Sequence, residues 1–369
     1  MKYLIAAAGT GGHINPGLAI ARMITEKDPQ ADIRFVGTAR GLENTLVPKA
    51  GYPLLKLSVR GFRRKLSLDT LKTVAALVKS FFEASRLLRD WRPDLVIGTG
   101  GYVCGPVMMM AALRKIPTLL HESNALPGVT TRLLAPHVSR VAVTFEDAVP
   151  RLSRRARVHV TGSPIRPELL RATREVARAA KGLEKASPLV LAFFGSLGSA
   201  TLNRVMVQML REHPEGLGFR LVFGTGMGHY DKVMAELAGA LPPDVEVLPY
   251  LHEMDTLLAA SDVAVCRAGA ITVGELCVLG VPSILVPSPY VADNHQEYNA
   301  RSLESRGAAV VVLEEHLSGD ILLGQIRTLV GDAALRRRMS AAAGRLARRD
   351  AGEAIHTLVS QLLPGGDRV

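Results

Sequence analysis

The chain has 369 residues, 48% of them apolar, and a formal charge of +11 at neutral pH. That length exceeds one ordinary hydrophobic core and predicts two domains. The longest uncharged runs, 95–113 and 186–203, are each broken by a glycine loop, which argues against a membrane span. Cys104, Cys266 and Cys277 have neither paired nor metal-type spacing and fit a reducing cytoplasm. The excess of base points to anionic partners. Aromatic residues are only 5% and are not interleaved with base, so phosphorylated ligands and an anionic membrane surface stand ahead of nucleic acid.

In chain order, residues 2–8 read as a short buried strand that runs into Gly9-Thr10-Gly11-Gly12-His13, not as an export signal. Asn15-Pro16 then opens a helix over 17–26, and 33–37 is a second strand. The glycine loop is neither GxGxxG nor a P-loop with its lysine, so alone it is weak evidence for a phosphate cradle. His13 stands where it can meet a ligand as a general base, or merely cap the helix. Residues 60–65, RGFRRK, form a basic loop. The spacing predicts a long helix over 68–91, with Leu68, Leu71, Ala75, Val78 and Phe82 on one side. Leu77, Phe81 and Leu88 widen that side, while Lys72, Lys79, Arg86 and Arg89 share the helix. Its apolar side either packs on a sheet or docks on acidic lipid.

A strand over 94–98 leads to a second glycine loop, 98–102, and a helix over 106–113 whose three methionines read as core filler. The strand 117–121 runs into His121-Glu122-Ser123-Asn124, followed by a helix near 129–134. No HExxH occurs, so a zincin site is excluded. Strands at 141–144 and 158–160 close this half, and 162–167 is the crossing to the next. Residues 171–185 read as a basic surface helix or loop. The second half repeats the pattern: strand 188–194, glycine loop 195–200, helix 202–211, strand 219–224, helix 230–239, strand 245–249 and helix 254–259. After the strand 262–266 comes the most informative stretch, a glycine turn at 267–270 and a helix over 271–279 stopped by Gly280. A strand, 283–286, and a polar loop carrying Asp293, Asn294, His295 and Gln296 follow. Glu275 sits about one turn inside a helix whose start favours an anion such as a diphosphate. A carboxylate there suits the hydroxyls of a ribose diol, or is a solvated first-turn glutamate; local residues leave the two even. Strand 308–313 and helices over 321–330, 333–347 and 351–363 end the chain. Two successive β/α halves, each opening on a glycine loop, predict an α/β protein of two Rossmann-like parallel-sheet domains facing each other across a cleft.

The ordered motifs GTGGHINPGLAIA, GTGGYVCGP, HESNALPGVTTRLLA, GSPIR, FGSLGSATLN and CRAGAITVGE…GVPSILVP…DNHQEYNA span nearly the whole chain. With them the sequence resembles the MurG family of bacterial N-acetylglucosaminyltransferases, within glycosyltransferase family 28. The resemblance implies a GT-B fold, with an acceptor and membrane-associating domain at 1–163 and a UDP-GlcNAc-binding domain at 164–348. The helix at 349–369 would pack back on the first. It implies inverting transfer of GlcNAc from UDP-GlcNAc to the C4 hydroxyl of an undecaprenyl-diphosphate-linked muramoyl pentapeptide, in cell-wall synthesis at the cytoplasmic face of the membrane. It implies no metal and no cofactor, and the chain has no Asp-x-Asp.

Carried over by motif, His13 is the candidate base, with Glu122 the second candidate. Thr10, Gly11 and Gly12 line the sugar and diphosphate, Asn124 holds the transferred sugar, and Arg166 and Ser196 hold the nucleotide and its phosphates. Leu251 offers its backbone to the uracil. Ala270, Ile271, Thr272, Val273, Gly274 and Glu275 form the nucleotide loop, with Glu275 on the ribose. Gln296, with His295, reads sugar hydroxyls. Gly100, Gly101 and Tyr102 face the acceptor diphosphate, and Leu77, Phe81 and Phe82 touch the membrane. Phe194, Leu197, Ser123 and Thr131 depart from the family pattern, and Leu197 puts one donor contact in doubt. Two rival readings are a related enzyme with another lipid acceptor, such as diacylglycerol, and a non-catalytic nucleotide-sugar-binding protein. HESN and the DNHQ loop argue against the first, and ligand groups in both halves against the second.

Overall fold

The computed structural model describes residues 1–59, 68–183, 187–363 and 365, and for 68–74 the backbone alone. The basic stretch 60–65 and the side chains of Leu68 and Leu71 therefore lie outside the described residues. The chain divides into two compact units, Met1–Pro164 with Asp350–Val369, and Ile165–Arg349.

The first unit is a parallel sheet of β1 (Lys2–Ala7), β2 (Asp32–Thr38), β3 (Leu54–Leu57), β4 (Leu95–Gly100), β5 (Thr118–Glu122), β6 (Arg140–Val143) and β7 (Val158–Val160), in the order β3-β2-β1-β4-β5-β6-β7. Alternation along β1 sends Tyr3, Ile5 and Ala7 to one core layer and Leu4, Ala6 and Ala8 to the other, so both faces are covered. Ile355, Leu358 and Val359 of the helix Ala351–Leu362 join the first layer beside Ile14 and Ile20. The second unit is a parallel sheet of β8 (Leu189–Phe193), β9 (Arg220–Gly224), β10 (Val245–Leu248), β11 (Val263–Cys266), β12 (Ser283–Leu285) and β13 (Ala309–Val311), in the order β10-β9-β8-β11-β12-β13. Both orders reverse at the strand that opens the unit, between β1 and β4 and between β8 and β11. In such sheets ligands bind at that reversal, beyond the strands' C-terminal ends.

Several elements depart from expectation. The first helix is Gly11–Lys27, so Gly11, Gly12 and His13 form its first turn; the Thr10 carbonyl accepts from the His13 and Ile14 amides. Two elements between β2 and the basic stretch had no clear sequence signal, the helix Glu43–Lys49 and β3. His295 and Gln296 open a helix, His295–Glu304, where a loop was expected. Residues 171–185 are not simply a solvated basic face. Arg178 is buried, donating to the Ala260 and Ser187 carbonyls and to Asp262, which Arg174 also reaches.

Candidate active site

In the first unit the site is built where β1 and β4 part. The ladder between them carries a bulge, with Ala6 opposite Gly98 and Ala7 opposite Gly100. Thr99, the extra residue, donates its hydroxyl to the His13 carbonyl at 2.8 Å. Gly100 has φ +129, and a Cβ there would stand 2.3 Å from His13 Cδ2, so only glycine lets the ring lie against this backbone. A Cβ on Gly101 would stand 2.4 Å from the Ala8 carbonyl oxygen. That carbonyl lies 3.1 Å from His13 Nδ1. A carbonyl can only accept, so Nδ1 carries the proton, and in the neutral ring Nε2 carries the lone pair. Thr10, exposed, gives the helix no side-chain cap, so the amides of Gly11 and Gly12 have no intrahelical partner. Tyr102 follows the second loop and is exposed.

Glu122, at the end of β5, is buried and accepts four hydrogen bonds. The Asn124 backbone and side-chain amides reach Oε1 at 3.0 and 3.2 Å; the Gly128 amide and Thr131 hydroxyl reach Oε2 at 3.0 and 2.6 Å. Thr131, a departure from the family pattern, thus has a structural role. Ser123 lies 3.4 Å from His121 Nδ1, and burial lowers the His121 pKa, keeping that ring neutral.

In the second unit the loops lie beyond β8 and β11. Ser199 caps the helix Ala200–Arg211. Ser196 and Leu197 are exposed, and Gly198 packs so close to Thr225 that a Cβ would stand 2.0 Å from its carbonyl oxygen. Beyond β11 the helix Ala270–Leu279 begins without a side-chain cap, leaving the first-turn amides of Ala270, Ile271 and Thr272 without intrahelical partners. Val273 and Gly274 continue this helix; Gly274 packs on Ile165, 3.3 Å from where a Cβ would lie. The Glu275 side chain is only 8% exposed. Its Oε1 accepts both Arg166 Nε, at 3.1 Å, and Nη2, at 2.9 Å, while Oε2 has no partner among the described residues. Burial raises the Glu275 carboxyl pKa, against the opposing pull of Arg166. Gln296 accepts the Ser288 amide at 2.9 Å through its side-chain oxygen, which turns its NH2 group the other way. His295 Nδ1 lies 2.8 Å from the Ala292 carbonyl, and Asp293 and Asn294 ahead of it take left-handed backbone. Leu251 buries its side chain against Gly224, and its backbone amide and carbonyl have no partner among the described residues.

Three residues had no role from sequence. Arg267 donates to the Val286 and Pro287 carbonyls, Ser199 and Glu314, tying the β8, β11 and β12 loops together; the side chains of the Arg267–Glu314 pair are only 11% and 7% exposed. Asn299 donates to the Ala268 carbonyl at 3.1 Å and fixes the glycine turn. Glu43 is taken up below. Among the described residues, no three His, Cys, Asp or Glu side chains come together as a metal site requires.

Two parallel sheets of nucleotide-binding order, each with an uncapped helix start at its reversal, are two Rossmann-like domains, and the comparisons make this the GT-B fold of a glycosyltransferase. Matches to family models extend this: residues 3–143 match the glycosyltransferase family 28 N-terminal domain, and 189–355 its C-terminal domain. The chain belongs to glycosyltransferase family 28. It is 47% identical over 363 residues to a UDP-N-acetylglucosamine–N-acetylmuramyl-(pentapeptide) pyrophosphoryl-undecaprenol N-acetylglucosamine transferase of Acetivibrio thermocellus, covering 98% of each chain. It is 49% identical over 365 residues to the enzyme of that name from Ruminiclostridium cellulolyticum, covering 98% of this chain and all of the other. A crystal structure of the Acinetobacter baumannii MurG superposes with a TM-score of 0.80 at 28% identity, covering 98% of this chain and 99% of that one.

Proposed function

We propose that this enzyme transfers N-acetylglucosamine from UDP-N-acetylglucosamine to the C4 hydroxyl of an undecaprenyl-diphosphate-linked muramoyl pentapeptide, the step from lipid I to lipid II of peptidoglycan synthesis. Full-length similarity to enzymes named for this reaction supports the substrates. The observation that carries the donor assignment is Glu275: a buried carboxylate with one oxygen held by Arg166 and the other available to a ribose hydroxyl. The first-turn amides of Ala270, Ile271 and Thr272 take the diphosphate. Leu251 offers its backbone to the uracil, and the Gln296 amide reads a sugar hydroxyl. Arg166 acts first on Glu275, setting its orientation, and Ser196 lies on the exposed phosphate loop. The first unit takes the acceptor at Gly100, Gly101 and Tyr102, with the acceptor diphosphate over the free amides of Gly11 and Gly12.

In the reaction His13 Nε2 takes the proton of the C4 hydroxyl as its oxygen bonds to the donor's anomeric carbon. The bond from that carbon to the diphosphate breaks, UDP leaves, and the configuration inverts. Glu122 serves better as the brace of Asn124 than as the base, because both its oxygens are already occupied by hydrogen bonds. No helix among the described residues is long and apolar enough to cross a membrane. Phe82, 73% exposed, with Val78, Leu77 and Phe81 nearby on one helix, supports docking on an anionic membrane surface. The test is turnover of UDP-GlcNAc with the lipid-linked muramoyl pentapeptide against diacylglycerol. The reading predicts a disaccharide on the first acceptor alone; transfer to diacylglycerol would reassign the enzyme.

A further inference from the structure

Glu43 is completely buried, and among the described residues no cation reaches it. An unpaired buried carboxylate is costly unless hydrogen bonds replace its water. Here they do: Oε2 accepts the Gly9 amide at 2.9 Å, and Oε1 accepts the Thr38 amide at 2.9 Å and hydroxyl at 2.7 Å. Burial works against the charged form, but these bonds outweigh it and hold the carboxyl below its ordinary range. The chain is shaped around the group. A Cβ on Gly41 would stand 1.9 Å from Oε2, and one on Gly37 would stand 2.6 Å from Glu43 Cγ. The neighbouring Leu42 amide donates to the Gly9 carbonyl at 3.4 Å. Both hydrogen-bonding groups of Gly9, at φ +94, are therefore held by the turn that carries Glu43.

Gly9 lies between Ala8, whose carbonyl fixes the His13 ring, and Thr10, whose carbonyl starts the His13 helix. We infer that Glu43 is a positioning residue for the transfer reaction: through Gly9 and Ala8 it fixes the orientation and tautomer of His13, with the lone pair on Nε2. The inference rests on His13 being the base, as proposed above. Glu43 touches no substrate group; its contribution is the geometry of the peptide that His13 binds.

The test compares Glu43→Gln, Thr38→Val and His13→Ala in the full-length enzyme. Glutamine presents an NH2 to one of the amide donors that Glu43 accepts from, and valine removes the shortest of the three bonds. Nitrogen NMR of the histidine rings should find the Nδ1–H tautomer of His13 in the wild type and a shift toward Nε2–H in both variants. The kcat should fall by about tenfold to 100-fold in Glu43→Gln, and by less in Thr38→Val. Far-ultraviolet circular dichroism and the melting temperature should stay near the wild-type values and so report that the first unit, which carries all three positions, is folded. If Glu43→Gln fails to fold, Thr38→Val carries the same prediction. Wild-type tautomer and kcat in a folded variant would overturn the inference while His13→Ala is inactive. Normal turnover by His13→Ala would instead overturn the base assignment and the inference with it.

Discussion

Replacing Glu275 by Gln is the most informative single change. The carboxylate is buried, and Arg166 occupies only Oε1, so the substitution keeps the shape and removes the charge that a ribose hydroxyl would bind. A hydrogen bond to a charged group is worth about 1.5–3 kcal/mol, which is about 10-fold to 150-fold in donor KM. Stability should change less, because Arg166 is 51% exposed and water replaces much of what it loses. The assay is initial rate against UDP-GlcNAc and its 2′-deoxyribose and 3′-deoxyribose analogues. In the wild type, removing the ribose hydroxyl that Glu275 binds should cost about the same factor as the mutation. In Glu275→Gln the same analogue should cost little more, since the partners form one interaction. Equal sensitivity of both enzymes to both analogues would refute the ribose assignment. The pH dependence has a definite sign. Burial raises this carboxyl, with Arg166 opposing, so donor affinity should fall with pH through a value above the ordinary glutamate range. The folding contribution of the same group runs the other way: it is present at low pH and is lost as pH rises through that raised value. Glu275→Gln should lose both dependences.

Gly100→Ala should lower kcat far more than it changes UDP affinity, since the new methyl would occupy the place of the His13 ring; steady-state rates with calorimetry test this. Glu314→Ala removes the carboxylate partner of Arg267, which keeps the Val286, Pro287 and Ser199 acceptors, and should cost about 1.5–3 kcal/mol in a urea unfolding titration. Cys104 and Cys277, pushed up to about 12 by burial, and Cys266, raised further by burial and by Glu275, should not react with a disulfide reagent at neutral pH until the protein is unfolded. Replacing Phe81 and Phe82 by Ser should weaken sedimentation with anionic vesicles, with the melting temperature nearly unchanged for exposed Phe82 alone.

Apart from β3, the parallel strands were legible as short apolar runs, and β1, β4 and β8 run into glycine loops, a pattern the two halves repeat. The helix 295–304 was not, because HQEYNARSLE is polar and its start depends on two left-handed residues, Asp293 and Asn294, that no periodicity announces. Helix Glu43–Lys49 is short and carries Pro48, which masked it. Among site residues, Glu275 stood out because it lies inside an otherwise apolar helix. Arg267, Glu314 and Asn299 did not, since their partners are 19 to 68 residues away in sequence and meet only when the strand ends assemble. Glu43 left one trace, a glutamate close behind Gly37 and Gly41, whose meaning appears only once the carboxylate is seen between them. HESN marked Glu122 as a candidate, but the four hydrogen bonds its carboxylate accepts could not be read from that motif.

The most direct measurement is a crystal structure with UDP-GlcNAc bound. It should place a ribose hydroxyl within hydrogen-bond distance of Glu275 Oε2, the uracil on the Leu251 backbone, and the diphosphate at the amides of Ala270 to Thr272. A nucleotide seated on the first unit, or a ribose turned away from Glu275, would contradict the account.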